Sequence, residues 1–349
     1  MKRSVIFKFK LVAGMMMLAV LAQGAEVKKT INKSYKVSSS TYLEVDNRFG
    51  KVHVNNWDKS EFKIDIEIIV EGSNEDKAQK ILDRIDIDIS ESSGGYSFKT
   101  DMDNLKTNND DQFQVNYTIS MPSENPVRME NSFGDLYLDT RDGSAYVKVS
   151  YGALKAADFN DEAEINVSFG KGDIGFWQRG KGTIKYSDVE IQRIGKIELN
   201  QQFSDVEIDE LDEIELESKY GSVEIGSARS IDAEVQFSGF QIERLSKRLE
   251  MTASYVGDFE IEELNAEFES VYISGKFGSY EIGIPSDLKA DFRGKFSFCN
   301  LKDGGVPIEY NYRVKDMNES EYRGKINGGD ESKKIEVKSS YGDLKLFEY

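Results

Sequence analysis

The residues that could carry chemistry in this chain are mostly carboxylates. It has one Cys (Cys299), one His (His53), and 63 Asp and Glu against 45 Lys and Arg. A single Cys excludes a disulfide framework and a multi-thiolate metal site, and a single His excludes an imidazole cluster. Any Ser-His-Asp arrangement would have to include His53. The chemistry left to consider is that of paired or stacked carboxylates.

Acidic residues recur at fixed places relative to a repeated aromatic residue, which we number as position 0. Hard divalent cations take several carboxylate ligands, so a column of stacked carboxylates could bind them. A solvated face that keeps the rod from aggregating is the simpler interpretation. We therefore predict no metal and no cofactor, with a divalent cation on the +4 column as the alternative. That column contains Glu190, Glu207, Glu224, Glu260 and Glu281, and a column at −5 contains Glu198, Glu215, Asp232 and Glu250.

A pair of carboxylates is also sufficient for glycoside hydrolysis. Asp188 and Asp205, both at +2, could supply such a pair from neighbouring repeats. However, Asp beside Gly or Ser commonly forms corners through its side-chain hydrogen bonds, and an enzyme site should break the repeat with unique residues. We therefore predict a non-enzymatic protein, with a polysaccharide-active enzyme on a β-helix scaffold as the alternative.

The repeat itself is an aromatic residue, then Gly or Ser, then a short apolar alternation. From Phe133 to Tyr255 its copies are 17 or 18 residues apart. A fixed period of this length is typical of a solenoid built from stacked repeats. Twelve copies begin at Phe49, Phe133, Tyr151, Phe169, Tyr186, Phe203, Tyr220, Phe237, Tyr255, Phe277, Phe296 and Tyr341.

Apolar or small residues at −6, −4, −2, 0, +3 and +5 have the period of two that a β-strand requires. The phase slips after position 0, where Gly permits a positive φ and a tight bend. Seventeen residues leave no room for a crossover helix, so the sequence predicts an all-β parallel β-solenoid with 17–18-residue rungs. An antiparallel sandwich is the rival fold. The pattern places the position-0 rings in an interior column and Cys299, at +3 of Phe296, in a buried slot.

The N-terminus has the layout of a secretory signal peptide. Four basic residues precede the apolar run Leu11–Ala22, and small residues precede a cleavage point before Ala25. We predict a signal peptide over 1–24 and export to the periplasm or cell surface of a bacterium. No later run of 18 apolar residues exists, so no transmembrane segment is predicted after signal removal. A formal charge of −18 argues against nucleic acid as a partner.

The regular rungs are predicted over 127–301. Residues 25–126 are irregular N-terminal rungs that cap the open end, with one short helix over Asn74–Arg84 and Ser73 as its N-cap. Residues 302–349 are a C-terminal insertion followed by the last rung.

Three segments resemble the adhesin-like β-strand repeat proteins of bacterial envelopes, a family of unknown function related to auto-transporter adhesin head domains with a Gly-Ile-Asn signature. They are NRFGKVHVNNWDKSEFKIDIEIIVEG, the repeated FG/YG-x-[VLI]-x-[IVL], and GKINGGDESKKIEVKSSYGDLKLFEY. The resemblance covers the chain after residue 24 and implies an exported β-helix-like protein. It supplies no catalytic residues. Together these observations predict an exported, adhesin-like interaction or structural scaffold whose partner is an unidentified envelope or surface protein or glycan.

Overall fold

The computed structural model describes residues 25–102 and 111–349, so the predicted signal peptide lies outside the described residues. The first part of the fold contains seven strands and a helix. These are β1 (Ala25–Lys36), β2 (Tyr42–Arg48), β3 (Val52–Asn56), β4 (Glu61–Gly72), α1 (Glu75–Leu82), β5 (Asp86–Ser92), β6 (Gly95–Asp101) and β7 (Gln112–Met121).

Nine strands form the regular middle of the chain, and nine more follow. The middle strands are β8 (Val127–Ser132), β9 (Leu136–Leu138), β10 (Ala145–Ser150), β11 (Ala153–Ser168), β12 (Lys171–Lys185), β13 (Asp188–Gln202), β14 (Asp205–Lys219), β15 (Ser222–Gln236) and β16 (Gly239–Ser254). The last strands are β17 (Asp258–Leu264), β18 (Ser270–Lys276), β19 (Ser279–Ile284), β20 (Ala290–Ser297), β21 (Leu301–Lys302), β22 (Ile308–Lys315), β23 (Glu319–Ile326), β24 (Lys334–Ser340) and β25 (Leu344–Glu348).

The middle strands stack as parallel coils, and the predicted β-solenoid is confirmed. Val189 of β13 pairs with Val206 of β14, which pairs in turn with Val223 of β15. Equivalent residues of successive repeats therefore lie directly above one another. Within β13 the pairing is interrupted at Gln192 and Gly195, so each coil has straight sections separated by bends and by a corner at the aromatic residue.

The core is a set of apolar columns inside the coils. In β13 the inward side chains are fully buried, and the same columns continue in the coils above and below, as the alternation of apolar residues predicted. One coil cannot bury its apolar face alone, so each depends on its neighbours for both hydrogen bonds and burial. The buried residues of β13 include Val189, Ile191, Ile194, Ile197 and Leu199.

The corner differs from the predicted one in two respects. The positive φ falls on the aromatic residue itself, at +52° for Phe203 and +58° for Tyr220, and not on the Gly or Ser that follows. The rings also lie outside: Phe203 and Tyr220 are each 47% exposed, so the predicted interior column of position-0 rings is wrong. A left-handed residue reverses the alternation of side chains at the corner, and the ring therefore leaves the inward-facing set.

Gly follows the aromatic residue at many corners because the adjacent coil leaves no room for a Cβ atom. A Cβ on Gly152 would lie 2.0 Å from the carbonyl oxygen of Gly134 in the coil below. Ser occupies the same position at other corners, where its hydroxyl makes hydrogen bonds. The Ser187 hydroxyl donates to the carbonyl of Lys185 at 2.8 Å and accepts from the backbone N–H of Gly170 at 3.2 Å.

The eleventh repeat was assigned to the wrong aromatic residue. Phe298, not Phe296, has the positive φ of a corner and lies 55% exposed, whereas Phe296 is buried in strand β20. Cys299 therefore follows the corner directly and is half-buried, and the prediction that it fills a buried +3 slot is wrong. Its Sγ lies 3.4 Å from the carbonyl oxygens of Ser297 and Ser339.

Position −2 carries buried polar side chains in several coils. The Asn131 amide, 2% exposed, donates to the carbonyls of Gly50 and Asp135 at 3.0 Å each. Gln201 is fully buried, donates to the Ser204 carbonyl and accepts from the Ser218 hydroxyl at 2.7 Å. These amides satisfy carbonyls at the corner, as buried polar groups must be.

The first part of the chain is irregular and closes one end of the core. Strand β4 runs antiparallel to both β1 and β7, while β7 pairs in parallel with β3. Helix α1 follows β4 and buries Ala78, Ile81 and Leu82 against this end. The helix was predicted, but its N-cap is Asn74, whose side chain accepts from the backbone N–H of Lys77, and not Ser73.

The last coil in the sequence is not the last coil of the stack. Strand β24 pairs in parallel with β18 on one side and with β20 on the other. Strand β25 likewise lies between β19 and β21. Strand β23 pairs antiparallel with β20, and β22 pairs antiparallel with β23, so these two strands cover that end of the sheet.

Candidate functional site: the aromatic stripe

The corner aromatics form one continuous row of stacked rings, which we call the aromatic stripe. Neighbouring ring centroids are 4.7–5.1 Å apart, and their planes depart from parallel by at most 12°. From Phe133 onward each ring is 43–55% exposed. In stacking order the stripe is Phe49, Phe133, Tyr151, Phe169, Tyr186, Phe203, Tyr220, Phe237, Tyr255, Phe277, Tyr341 and Phe298.

Stacking compensates for an unfavourable backbone. A left-handed conformation costs a non-glycine L-residue about 1–2 kcal/mol. An aromatic pair contributes about 0.5–1.5 kcal/mol beyond its buried area, and each internal ring makes two such contacts. The repeat therefore places at its corner an unbranched aromatic, for which stacking offsets the strain.

The stripe is large for an exposed apolar surface. A ring of this type has about 150–250 Å² to bury, so eleven half-exposed rings present about 1,000 Å². The largest apolar patch on a typical monomer is about 300–600 Å² and is often functional. Because each ring covers the faces of its neighbours, only ring edges and tyrosine hydroxyls reach solvent. Sugars and bases that stack on open ring faces are therefore poor ligands for the middle of the stripe.

Phe and Tyr alternate strictly along the stripe from Phe133 to Phe298. The alternation appears in the stacking order and not in the sequence order. The ring of Tyr341 lies between those of Phe277 and Phe298, at centroid distances of 5.0 and 4.9 Å. Tyrosine hydroxyls therefore recur at every second coil, about 10 Å apart by strand spacing. The stripe is thus a regular surface of apolar edges and spaced hydroxyl groups.

The two predicted acidic ladders are in register. Glu190 pairs with Glu207 and Glu207 with Glu224, and Glu260 pairs with Glu281; Gln241 lies between the two groups. Within the part of the chain that the structure describes, no three His, Cys, Asp or Glu side chains are grouped so that they could hold a metal ion. The −5 ladder of Glu198, Glu215, Asp232 and Glu250 is also continuous.

In the +4 ladder, the surroundings of Glu260 shift its pKa. Partial burial, followed by repulsion from Glu262 and Glu281, raises the pKa of Glu260. Glu281 itself accepts an ion pair from Lys345 at 2.6 Å. The ladder is therefore a charged surface with local repulsion that one lysine relieves.

The predicted carboxylate pair sits beside the stripe. Asp188 and Asp205 are register partners on neighbouring coils, and both are exposed. Asp205 accepts a hydrogen bond of 2.6 Å from the Ser222 hydroxyl, as expected of a corner residue. Neither carboxylate lines the groove of about 500 Å³ on the surface, which Arg193, Glu210 and Arg244 border.

The His53 ring packs against a neighbouring aromatic ring. Its ring stacks on Tyr137 at 4.3 Å, and partial burial and the nearby Lys51 lower its pKa. It occupies the +4 column of the first coil, where Tyr137 follows it in register. The ring thus serves a packing role.

A buried arginine escaped the sequence reasoning. Arg141 is 0% exposed and donates to the Asn56 side chain at 3.0 Å, to the Asn125 carbonyl at 3.3 Å and to the Pro122 carbonyl. Burial lowers its pKa to about 10. These contacts join β3 and the segment after β7 to the first regular coils, so Arg141 is a structural cation.

Comparison with known proteins finds only solved structures of low sequence identity and low TM-score. No protein-family model and no curated protein matches the chain. A solved structure from Parabacteroides distasonis, named "putative adhesin", is 12% identical with a TM-score of 0.38 and covers 73% of this chain and 92% of its own. One from Bacteroides fragilis, also named "putative adhesin", is 14% identical with a TM-score of 0.29, covering 91% and 97%.

A third structure, from Parabacteroides distasonis, is named "putative lipid binding protein"; it is 10% identical with a TM-score of 0.33, covering 91% of this chain and 96% of its own. The names of the first two agree with the resemblance predicted from the sequence. At these identities and TM-scores we draw no functional conclusion from the similarity. Among residues 25–102 and 111–349, no helix has the length and apolarity to cross a membrane.

Proposed function

We propose that this protein is an exported, non-enzymatic interaction scaffold of adhesin-like type that acts in the bacterial cell envelope. The observation that carries the proposal is the aromatic stripe, an apolar surface of about 1,000 Å² that a folded monomer leaves in water. Uninterrupted contacts between coils hold it in place over eleven successive rings. Such a surface is costly to expose and fits a binding partner better than it fits solvent.

The regularity of the coils favours a scaffold over an enzyme. A catalytic site requires unique residues that converge in a concave pocket. The strongest carboxylate pair, Asp188 and Asp205, belongs to a repeated column on an exposed edge. We propose that the stripe binds and that the charged faces keep the rod soluble.

A retention experiment tests the proposal. Immobilised protein is incubated with envelope fragments of the bacterium that makes it, beside a stripe variant carrying Tyr186→Asn, Phe203→Asn and Tyr220→Asn. Asn tolerates the left-handed corner, so the coil should persist, which circular dichroism checks. A control variant carries Glu198→Gln, Glu215→Gln and Asp232→Asn on the strand before the corner.

Retention that the stripe variant loses and the control keeps supports the proposed function. Equal retention by all three proteins, or none by the wild type, contradicts it. Release of reducing sugar ends from envelope polysaccharide by the wild type, lost on Asp188→Asn with Asp205→Asn, would establish the enzyme alternative. Protease treatment of intact cells locates the protein at the surface or in the periplasm.

A further inference from the structure

We propose that the partner of the aromatic stripe is a second copy of this chain, packed side by side and antiparallel so that the two stripes face each other. The inference rests on the proposed function, because it names the partner of the same surface. Burial of the stripe would remove about 1,000 Å² from each copy. A stable specific interface needs about 800 Å² from each partner, so the area suffices for a dimer.

The order of rings makes the stripe complementary to itself in this orientation. With all twelve rings overlapped antiparallel about a two-fold axis, every tyrosine lies opposite a phenylalanine, and only the outermost pair matches two phenylalanines. Each hydroxyl then projects over the shorter phenylalanine edge of the other copy. In a parallel two-fold arrangement each ring would instead face the same ring of the other copy, so Tyr would meet Tyr and Phe would meet Phe. The antiparallel pairs are Phe203 with Tyr220, Tyr186 with Phe237, Phe169 with Tyr255, Tyr151 with Phe277, Phe133 with Tyr341, and Phe49 with Phe298.

The residue before each corner forms one flank of the stripe, and no like charges meet there in the antiparallel register. This flank carries basic and neutral residues but no acid. Each basic residue faces a neutral one, so repulsion is avoided and the amide and hydroxyl groups can accept from the cations. The facing pairs are Lys185 with Gln236, Lys219 with Gln202, Lys276 with Ser150, and Arg48 with Ser297.

The opposite flank, at +2, is nearly free of repulsion as well. Asp188 faces Gly239, and Asp205 faces Ser222. Asp135 faces Asp343, but each has an ion pair within its own chain, to Lys51 at 3.8 Å and to Lys302 at 2.9 Å. The rest of the rod carries acidic ladders and a net charge of −18, so other faces of two copies repel each other.

Cysteine cross-linking across the interface tests the register directly. In a Cys299→Ser background, Ser150→Cys and Lys276→Cys are introduced together and singly. The facing rings keep the two backbones farther apart than the roughly 7 Å between Cα atoms that a disulfide spans, so a bis-maleimide with a reach of about 15 Å is used instead. Within one chain these positions are seven coils apart, about 34 Å, whereas across the antiparallel interface they face each other.

The bis-maleimide should convert the double variant to a covalent dimer and leave each single variant monomeric. Sedimentation of the purified wild type should show a dimer that the Asn stripe variant loses and that the control variant of the −5 ladder keeps. A wild type that stays monomeric up to about 100 μM, a dimer indifferent to the stripe substitutions, or cross-linking in a single variant overturns the proposal. Stripe-dependent retention of envelope material by a monomeric protein would refute self-association while leaving the proposed function intact.

Discussion

The ring of Tyr341 stacks on that of Phe277 at a centroid distance of 5.0 Å, although the coil of Phe298 comes between them in the sequence. The C-terminal segment thus inserts as a coil into a stack that the preceding chain has left open. The insertion also keeps Phe and Tyr alternating, because Phe298 stacks on the other face of Tyr341. The end of the chain therefore completes the solenoid from within.

Removal of residues 334–349 should open this end of the rod. Strand β24 is the only partner linking β18 to β20 among the described strand pairings, so both would lose a neighbour. Because each coil is stabilised by its neighbours, hydrogen exchange should accelerate in β18 through β23 and stay slow in β12 through β14. Met317→Ser, at a 93% exposed site, is the matched full-length control. Undiminished protection of β20 in the truncated protein would contradict the inserted-coil arrangement.

Three substitutions at one corner separate ring stacking from backbone strain. Phe203 stacks on Tyr186 and Tyr220 at 5.0 and 4.8 Å, with φ of +52°. Loss of both contacts costs about 1–3 kcal/mol. Asn recovers about 1 kcal/mol of this because it tolerates the left-handed region, whereas Ala recovers nothing and Val is strained further. Urea unfolding should rank the loss as Phe203→Val, then Phe203→Ala, then Phe203→Asn; a larger loss for Asn than for Ala would refute the strain argument.

The coil, its period and most of its core could be predicted from sequence, because period-two alternation and the 17–18-residue repeat are local properties of the chain. The direction of the corner rings could not. The inward positions −2 and +3 are an odd number of residues apart, so the corner must reverse phase, but the pattern does not reveal which residue does so. The placement of Phe203 outside follows only from its φ.

Contacts between residues that are far apart in the sequence could not be predicted either. Nothing local to Tyr341 reveals that its coil enters between two earlier ones. Arg141 reads as an ordinary surface residue between Thr140 and Asp142, yet three acceptors from distant segments surround it. The pattern predicts an apolar or small residue at position −2, whereas the buried amide of Asn131 there donates to the carbonyls of Gly50 and Asp135 at the corner.

Replacement of the Asn131 side chain should lower the stability of the folded protein. Asn131→Val leaves the buried carbonyl of Gly50 without its side-chain donor and the buried amide of Asn47 without its acceptor on Asn131, whereas the Asp135 carbonyl keeps the backbone N–H of Val52. An unsatisfied buried polar group costs about 1–3 kcal/mol, so the free energy of unfolding should fall by about 2–4 kcal/mol. Asn166→Val makes the same change on an outward position, where the amide contacts only Glu164 at 3.3 Å, and should change stability by less than about 1 kcal/mol. Equal effects at the two sites would rule out the carbonyl-capping role.

Calcium and chelator should leave the melting temperature unchanged. Successive carboxylates of the +4 ladder are one coil apart, about 4.8 Å, so an ion between two coils would contact few of the six to eight oxygens that calcium prefers. Thermal melts with calcium and with a chelator test this, beside a variant carrying Glu190→Gln, Glu207→Gln and Glu224→Gln. A calcium-dependent rise that the variant lacks would establish the cation-binding alternative.

The raised pKa of Glu260 determines how this residue's contribution to stability changes with pH. Partial burial, Glu262 and Glu281 raise the pKa of Glu260 in the folded protein, so its ionised form is destabilising at neutral pH. As pH falls through the raised folded pKa, the folded state takes up the proton first and this cost is relieved. Glu260→Gln should therefore stabilise the protein at pH 7, by about 0.2–1 kcal/mol for a cross-strand like-charge contact, and Gln241 already shows an amide in this column. The gain should shrink on acidification and vanish below about pH 3, where the carboxyl is neutral in both states.

The neighbouring ladder position supplies the control for this prediction. Glu281→Gln removes the partner of Lys345, an ion pair of 2.6 Å, so it should bring no gain at pH 7. Chemical unfolding of the three proteins between pH 4 and 7 measures the differences. A Glu260→Gln gain that persists undiminished at the acidic end could not arise from the charge of Glu260, and the local repulsion would then have to be abandoned as its cause.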